Sequence, residues 1–380
     1  MERFDVLVVG GGPAGSSCAR ELARAGFDVA VLDKARFPRD KVCAGWITPP
    51  VLRALDVLPE DYAKNGRVLQ PIRGFAVARR GEAGSAADCG AVISYGIRRC
   101  ELDAFLLERS GAALRLGQPL ESLRREDEDW IANDSIRTRW LVGAGGHFCP
   151  VARELGARPG RDEPTTVVAR EIEFEMTPEQ QARCPVRGDL PALYFERDLR
   201  GYGWVVRKGD WLNVGLGRQD GHGFPAHVAG FAAWLEREGL VPPGLPQRWR
   251  GHAYLLHGEA PRPLSAPGVL LCGDAAGLAY PRSGEGIRPA VESGLLAARA
   301  LARALRRRGE TAERIYARAL ESRFGPRRAH GGAAAALSGW LPARARARVA
   351  ARCLASAWFA RRVVVERWFL HREVPALAAG

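Results

Sequence analysis

Val6-Leu7-Val8-Val9-Gly10-Gly11-Gly12-Pro13-Ala14-Gly15 is the stretch that decides the fold of this 380-residue chain. Its apolar half predicts a parallel strand buried on both faces. The GxGxxG pattern that follows leads into residues 16–25, which have the apolar spacing of a helix, and residues 28–33 form a second apolar run that ends in an acid. Strand, glycine-rich turn, helix, strand and terminal acid, in this order, predict a dinucleotide-binding βαβ unit.

The residues of the turn are expected to have separate roles. Gly10 allows the tight turn after the strand, Gly12 lets a pyrophosphate approach the backbone, and Gly15 lets the helix pack closely on the strand. Pro13 and Ala14 belong to the turn before the helix, whose N-terminal N–H groups and partial positive charge favour phosphate oxygens. We therefore expect these five residues to bind a dinucleotide.

The acid at the end of the second strand extends this site. Asp33 can accept hydrogen bonds from both ribose hydroxyls, and Lys34 follows it directly. These features suit NAD and FAD equally well. The first βαβ unit therefore leaves the choice of cofactor open.

A second glycine-containing segment lies about 260 residues further along the chain. Residues 269–277 predict a strand and a loop that includes Gly273 and Asp274, and Asp274 can bond a ribityl hydroxyl. Gly284, Gly286 and Ile287 precede a long helical pattern. The two glycines leave room for a flat ring, and the positive end of the helix would stabilise the negative charge of a reduced flavin. The two segments together predict non-covalently bound FAD.

The second segment resembles the second flavin motif of the geranylgeranyl reductase-like flavoproteins. Three further stretches are similar to motifs of that family: Lys41-Val42-Cys43-Ala44-Gly45, residues 99–106 beginning with Arg99, and residues 201–217 with Gly201-Tyr202-Gly203-Trp204. The resemblance spans about residues 4–305. Two departures are Val206-Arg207, where the family has an aromatic-proline pair, and residues 143–149, where many relatives have G-A-D-G-A-x-S.

The resemblance implies an α/β fold of the p-hydroxybenzoate hydroxylase type. We expect a Rossmann-like FAD-binding domain with an inserted antiparallel-sheet substrate domain and a helical C-terminus. The expected ranges are 1–75, 94–150 and 262–306 for the discontinuous FAD-binding domain, 151–261 with parts of 44–93 for the substrate domain, and 307–380 for the C-terminal helical segment. Residues 114–141 predict a β-meander within the FAD-binding domain.

The resemblance also suggests residues for the reaction. Cys43 faces the flavin or the substrate, or it is a small residue fitted against backbone. Tyr202 and Trp204 line the substrate cavity, or they are ordinary core aromatics. Lys41 approaches the pyrophosphate or is solvated, and Arg99 binds the phosphates or pairs with Asp103.

Spacing of the other polar residues predicts no metal site. His147, His252 and His257 have no ligand spacing and are expected to be structural, and none of the eight cysteines forms a CxxC pair. The chain shows no signal peptide and no apolar run of about 20 residues that could span a bilayer. We therefore expect a cytoplasmic protein with reduced thiols.

The net charge of +13 is concentrated near the C-terminus. Residues 326–380 contain ten arginines against Glu366 and Glu373, a local charge of +8. Trp340, Trp358, Phe359, Trp368 and Phe369 lie among these arginines. The pattern suits peripheral contact with an anionic membrane, or a helical cap whose aromatics pack on the FAD-binding domain. We discount nucleic acid as a partner because 52 of the 56 basic residues are arginines, a bias that coding-sequence composition can produce.

The resemblance implies an FAD-dependent oxidoreductase that reduces carbon–carbon double bonds of an isoprenoid or another apolar substrate. Only one dinucleotide fingerprint is present, so NAD(P)H or a ferredoxin would act as a transient electron donor. Two alternatives stay open. One is a monooxygenase or halogenase that uses O2, although the halogenase W-x-W-x-I-P signature is missing. The other is an electron-transfer flavoprotein to a quinone.

Overall fold

The computed structural model describes residues 1–158, 166–219, 221–259, 262–306, 310–327 and 343–378. Its strands are, in chain order, β1 (Glu2–Val9), β2 (Val29–Asp33), β3 (Trp46–Ile47), β4 (Leu69–Ile72), β5 (Gly74–Arg79), β6 (Ser85–Asp88), β7 (Ser94–Ile97), β8 (Ala113–Leu116), β9 (Leu123–Glu126), β10 (Asp129–Ala132), β11 (Ile136–Gly143), β12 (Thr166–Glu175), β13 (Ala192–Phe195), β14 (Gly201–Lys208), β15 (Trp211–Arg218), β16 (Arg250–Leu255), β17 (Ser265–Ala266) and β18 (Val269–Leu271).

The helices alternate with these strands and follow them at the C-terminus. They are α1 (Pro13–Arg24), α2 (Pro49–Ala54), α3 (Pro59–Ala63), α4 (Arg99–Glu108), α5 (Pro150–Glu154), α6 (Pro178–Arg183), α7 (Phe224–Arg237), α8 (Ile287–Arg306), α9 (Ala312–Phe324), α10 (Ala343–Ala355) and α11 (Ala357–Phe359), which continues into a π-helix (Ala360–Phe369).

The first sheet is built around the N-terminal strand. Its parallel part has the order β18-β11-β1-β2-β8, with β17 antiparallel at one edge. Val8 of β1 lies between Val31 and Val142 of the neighbouring strands, and all three side chains are fully buried. Burial on both faces explains the continuous apolar sequence of β1, because helices cover both sides of a parallel sheet.

The predicted meander is shorter than expected. Strands β9, β10 and β11 form it, whereas β8 pairs in parallel with β2 at the edge of the main sheet. The sequence prediction for residues 114–116 was wrong on this point. The alternation of apolar residues is the same in an antiparallel meander strand and in a parallel edge strand, so it does not distinguish them. The parallel pairing of β8 with β2 depends on a crossover through α4 that brings distant segments together.

The second sheet has seven strands in the order β16-β12-β15-β14-β13-β5-β6. All neighbours are antiparallel except β13 and β5. Helix α7 covers one face through Phe231 and Trp234. A separate three-stranded sheet has the order β3-β7-β4. The division of the chain at the ranges given above stays a prediction.

The C-terminal segment packs mainly on the seven-stranded sheet. Phe369 is fully buried, and its ring centroid lies 5.9 Å from that of Trp46 and 5.3 Å from that of Tyr202. Trp358, in contrast, is 68% exposed. The aromatics of this segment therefore divide between the core and the surface, and Trp340 lies outside the described residues.

Candidate active site

A cavity of about 480 Å³ lies where the carboxyl ends of β1, β2 and β18 face the seven-stranded sheet. This volume is within the range of small-molecule and cofactor sites, and the carboxyl ends of parallel strands are where such ligands bind. Most of the predicted site residues line it: Gly10, Gly12, Pro13, Ala14, Asp33, Lys34, Lys41, Cys43, Arg99, Tyr202, Trp204, Gly273, Asp274, Gly284, Gly286 and Ile287. Gly15 does not line the cavity and lies behind its wall.

The glycine-rich turn leaves space that a side chain would fill. Gly10 has a φ of +113°, and a Cβ there would lie 2.4 Å from the carbonyl oxygen of Ala144. A Cβ on Gly15 would lie 1.8 Å from the carbonyl oxygen of Gly10, so α1 can approach the turn only without one. A Cβ on Gly12 would meet only Arg39, at 3.4 Å, and would otherwise project into the cavity. No side chain caps α1, so its first-turn N–H groups suit a phosphate.

Asp33 holds this turn in place. Its two carboxylate oxygens accept hydrogen bonds from the backbone N–H of Gly11, at 2.7 Å, and of Ala35, at 2.8 Å. A carboxylate oxygen has two lone pairs, so each oxygen can still accept a ribose hydroxyl. The turn, the open helix end and the acid therefore fit the adenosine and pyrophosphate part of a dinucleotide.

Asp274 joins a partly buried chain of polar groups at the other end of the cavity. Its Oδ2 lies 3.3 Å from His252 Nε2, and His252 Nε2 lies 2.7 Å from Lys41 Nζ. Burial and the positive charge of Lys41 lower the pKa of His252 to about 4. Burial also lowers the pKa of Lys41 to about 8, against the attraction of Asp274. Lys41 thus belongs to this chain of groups.

The charge of Asp274 is retained despite its burial. Burial acts to raise its pKa, but the hydrogen bond and charge of His252 and the charge of Lys41 outweigh this effect and lower the pKa of Asp274 to about 2. An ionised carboxylate at this position accepts hydrogen bonds from hydroxyls, as a ribityl chain requires.

Two arginines stand at the phosphate end of the cavity. Arg99 donates from Nε and Nη2 to the two carboxylate oxygens of Asp103, each at 2.9 Å, so one edge of its guanidinium is held within the protein. Arg39, 3.2 Å from the same carboxylate, extends its guanidinium over Gly12. Arg39 is therefore better placed for the pyrophosphate than Arg99, and the sequence analysis did not single it out.

The loop that carries Cys43 is fixed by its backbone. The N–H of Cys43 donates to Glu171 Oε2 at 2.7 Å, and its carbonyl accepts from Asn213 Nδ2 at 3.1 Å. Burial raises the pKa of Glu171 to about 8, against the charge of Lys208. Asn213 also accepts the indole N–H of Trp204 at 2.7 Å. One buried amide therefore positions both Cys43 and Trp204.

An aromatic wall faces the two nucleotide segments. Tyr202 donates its hydroxyl hydrogen bond to the carbonyl of Ser283, beside Gly284, and its ring centroid lies 6.1 Å from that of Trp204. Tyr254 completes the wall and lies close to Gly284. Hydrogen bonds fix the orientations of the Tyr202 and Trp204 rings.

Several cavity residues escaped the sequence analysis. His147 and His252, which were expected to be structural, both line the cavity. Other polar or aromatic lining residues that were not predicted include Arg39, Tyr254 and Glu285. The sequence did offer one signal of a functional role, which is the charge within Gly284-Glu285-Gly286. A carboxylate between two glycines at the start of a helix is rarely needed for packing.

Comparison with known proteins gives the family. A family model described as FAD dependent oxidoreductase matches residues 5–90. Menaquinone reductase of Mycobacterium tuberculosis is 31% identical over 322 residues, which cover 78% of this chain and 76% of that protein. Geranylgeranyl diphosphate reductase of Rhodobacter capsulatus is 30% identical over 350 residues, which cover 83% of this chain and 79% of that protein. The chain belongs to the geranylgeranyl reductase-like family of FAD-dependent oxidoreductases.

The fold of this family member is also that of a solved relative. The crystal structure of a geranylgeranyl bacteriochlorophyll reductase-like protein from Thermoplasma acidophilum superimposes with a TM-score of 0.77 over 98% of both chains, at 21% identity. The predicted fold class is confirmed, and FAD is the cofactor of this enzyme. Among the described residues, no helix is both long and apolar enough to cross a bilayer.

Proposed function

We propose that this flavoenzyme reduces carbon–carbon double bonds of an isoprenoid or a similarly apolar substrate. The observation that carries the proposal is the apolar wall opposite the nucleotide segments, formed by Val42, Ala44, Trp46, Ala169, Tyr202, Trp204 and Tyr254. A wall of this kind binds hydrocarbon by burial of apolar surface and offers an alkene few polar groups. The names of the two reductase relatives support it, since geranylgeranyl diphosphate and menaquinone both carry polyprenyl chains.

Bound FAD would supply the hydride, and the chain would supply orientation and a dry site. The residues that would hold the cofactor are those of the two glycine segments, with Asp33, Asp274 and Arg39. Tyr202 and Trp204, fixed by hydrogen bonds, keep the apolar faces of their rings toward the cavity and exclude water. Asn213 holds the Cys43 loop against the same space. The proposed roles of Cys43, Tyr202 and Trp204 are therefore contact with the substrate.

The electrons are proposed to come from NAD(P)H or from a ferredoxin-like protein that binds transiently. The single glycine-rich fingerprint supports this, because the site that it forms is taken by FAD. Reduction of the enzyme-bound flavin by NADH, NADPH and reduced ferredoxin, each followed by flavin absorbance without oxygen, tests the donor. A flavin that is reduced by none of the three would contradict this part of the proposal.

A second candidate is electron transfer to a quinone ring, favoured by the relative named menaquinone reductase. Menaquinone itself separates the two functions. The photoreduced enzyme is mixed with menaquinone without oxygen, quenched, exposed to air and analysed by mass spectrometry. Ring reduction is reversed by air, whereas saturation of the side chain leaves a gain of two hydrogens. The proposal predicts the lasting gain, and a product that returns fully to menaquinone would favour quinone reduction. A gain of oxygen in a parallel reaction run in air would favour a monooxygenase.

We also propose that the C-terminal segment makes peripheral contact with anionic lipid, from which an apolar substrate could be taken up. Arg361, Arg362 and Arg372 all pair with one carboxylate, Glu366, at 3.3, 2.9 and 3.1 Å, so positive charge remains in excess there. Exposed Trp358 lies on the same segment. Tryptophan and arginine together favour the interface of a bilayer.

Co-sedimentation of the full chain with phosphatidylglycerol vesicles tests this contact. Binding should weaken as salt rises, because the Debye length falls below about 10 Å above 0.1 M salt. Trp358→Ala should weaken binding further, whereas Leu199→Ala, at an exposed apolar residue (42%) of another part of the chain, should not. Equal binding to neutral and anionic vesicles would contradict the proposal.

A further inference from the structure

We propose that Glu285 is the proton donor of the alkene reduction. The inference rests on the proposed function, since hydride addition to one carbon of a double bond requires a proton on the other carbon. It assigns to Glu285 a role that neither the flavin motif nor the fold requires.

The position of Glu285 in the cavity is rigid. It lies between Gly284 and Gly286, and all three residues line the cavity. Its backbone N–H donates to Ser283 Oγ at 3.2 Å, and its carbonyl accepts from the N–H of Tyr280 at 2.9 Å. One side-chain oxygen, Oε1, accepts the N–H of Arg288 at 3.2 Å, which fixes the carboxyl group at the start of α8.

The second side-chain oxygen has no partner. Glu285 Oε2 is buried and receives no hydrogen bond from the described residues. A buried ionised oxygen without a partner costs far more free energy than a protonated one. The unpaired oxygen therefore favours a carboxylic acid that has a proton to give.

The other carboxylates of the cavity are occupied. Asp33 accepts two backbone N–H groups, Asp274 pairs with His252, and Asp40 pairs with Arg250. Among the carboxylates that line the cavity in the described part of the chain, Glu285 is the one with a buried oxygen that has no hydrogen-bond partner.

The nearest cation does not neutralise Glu285. The Arg288 guanidinium is fully buried and donates from Nε to Glu292 at 3.0 Å. Its other two nitrogens donate to the carbonyls of His371, Val374 and Pro375 in the C-terminal segment. The arginine thus binds the C-terminal segment, and the Glu285 side chain has no ion pair with any residue that the structure describes.

The surroundings agree with an acid that titrates near neutral pH. The charged and titratable groups that face Glu285 are Arg288 and Glu292 of α8, Tyr280 in the preceding loop and Tyr202 of β14. Burial raises the pKa of Glu285 to about 7, with the charge of Arg288 acting in the opposite direction and Glu292 in the same direction. A general acid works best when its pKa lies near the working pH.

The proton balance is simple. The π bond of the alkene breaks, one carbon forms a C–H bond with the hydride from the reduced cofactor, and the π electron pair forms a C–H bond at the other carbon with the proton from Oε2 of Glu285. The O–H bond of the acid breaks and leaves a carboxylate. Water then returns a proton to it before the next turnover.

Glu285→Gln tests the proposal in the FAD-loaded, full-length enzyme. The glutamine oxygen can still accept the N–H of Arg288, so FAD affinity should change less than threefold. With geranylgeranyl diphosphate as probe, single-turnover saturation by the photoreduced enzyme should slow by roughly 10²–10⁴-fold, the usual contribution of a general acid. Glu285→Asp should restore part of the rate. The wild-type rate should fall as pH rises through 7, and this dependence should be absent in Glu285→Gln.

The protonation state of Glu285 can also be tested without substrate, by infrared spectroscopy. Infrared difference spectra of the oxidised, FAD-loaded enzyme should show a protonated carboxylic acid band that disappears as pH rises through 7 and is missing in Glu285→Gln. If Glu285→Gln saturates the probe at the wild-type rate, or if Cys43→Ser rather than Glu285→Gln removes the pH dependence, the assignment to Glu285 is wrong while the reductase function stands. If the wild-type enzyme saturates neither the probe nor menaquinone, the proposed function fails, and the donor role fails with it.

Discussion

Replacement of Asn213 by alanine should both destabilise the protein and disturb the site, because this side chain joins three parts of the cavity wall. Asn213 is fully buried (0% exposed) and accepts the indole N–H of Trp204. It donates to the carbonyl of Cys43 and lies 3.3 and 3.2 Å from the carboxylates of Glu171 and Glu173. Alanine leaves the indole donor and the Cys43 carbonyl without partners, and each such group costs about 1–3 kcal/mol. The Cys43 carbonyl is half-buried, so we expect a total loss of about 2–4 kcal/mol.

Urea unfolding at one saturating FAD concentration measures this loss as a change in the free energy of unfolding. Trp204→Phe, alone and combined with Asn213→Ala, completes a double-mutant cycle. Since the pair of changes removes both the donor and its acceptor, the double variant should be more stable than the sum of the single losses predicts, by about 1–2 kcal/mol. Additive losses, or a loss below about 0.5 kcal/mol for Asn213→Ala, would refute the view that this amide organises the wall.

Two further predictions concern the cofactor end of the cavity. Gly12→Ala should leave the unfolding free energy of the apoprotein unchanged or slightly higher but weaken FAD binding at least tenfold in fluorescence titration. The reason is that the new Cβ meets only Arg39 and otherwise enters the space for the pyrophosphate. Unaltered affinity would show that the phosphates lie elsewhere. His252 should cost stability as pH drops from about 6.5 to 4, since burial lowers its pKa to about 4 and the unfolded chain takes up a proton that the folded protein resists. The raised pKa values of Glu171 and Glu285 act in the opposite direction, so the contribution of His252 is measured by comparison with a variant. At about 1.4 kcal/mol per pKa unit, protonation of His252 should lower the free energy of unfolding by about 2–4 kcal/mol over this range. His252→Gln should lose correspondingly less stability than the wild type. Parallel pH curves for the two proteins would contradict this.

The sequence predicted best those features that depend on neighbouring residues. Gly10, Gly12 and Asp33 lie within one βαβ unit, where the order of elements alone brings them to the same edge of the sheet. Gly273 and Asp274 follow a strand of the same sheet, so they reach the same edge by the same rule. The cavity therefore contains almost every residue that these two segments supplied.

The features that escaped prediction depend on contacts between distant segments. Lys41 and His252 are 211 residues apart, and a single histidine on a strand has no spacing that reveals a partner. The pairing of Arg99 with Asp103 was visible as an alternative at helical spacing, but its outcome depends on burial, which one sequence does not show. The placement of Phe369 behind Trp46 and Tyr202 depends in the same way on the packing of the C-terminal segment against a sheet formed much earlier in the chain.

The central claim is that hydride from the enzyme-bound flavin reduces a carbon–carbon double bond. The most direct test is the stoichiometry of one anaerobic turnover, with flavin oxidation followed by absorbance and the geranylgeranyl product measured by mass spectrometry. If the flavin reduces a double bond, we expect one molecule of product, carrying two additional hydrogens, for each flavin oxidised. Flavin that is oxidised without saturated product, or that is oxidised only when oxygen is admitted, would contradict it.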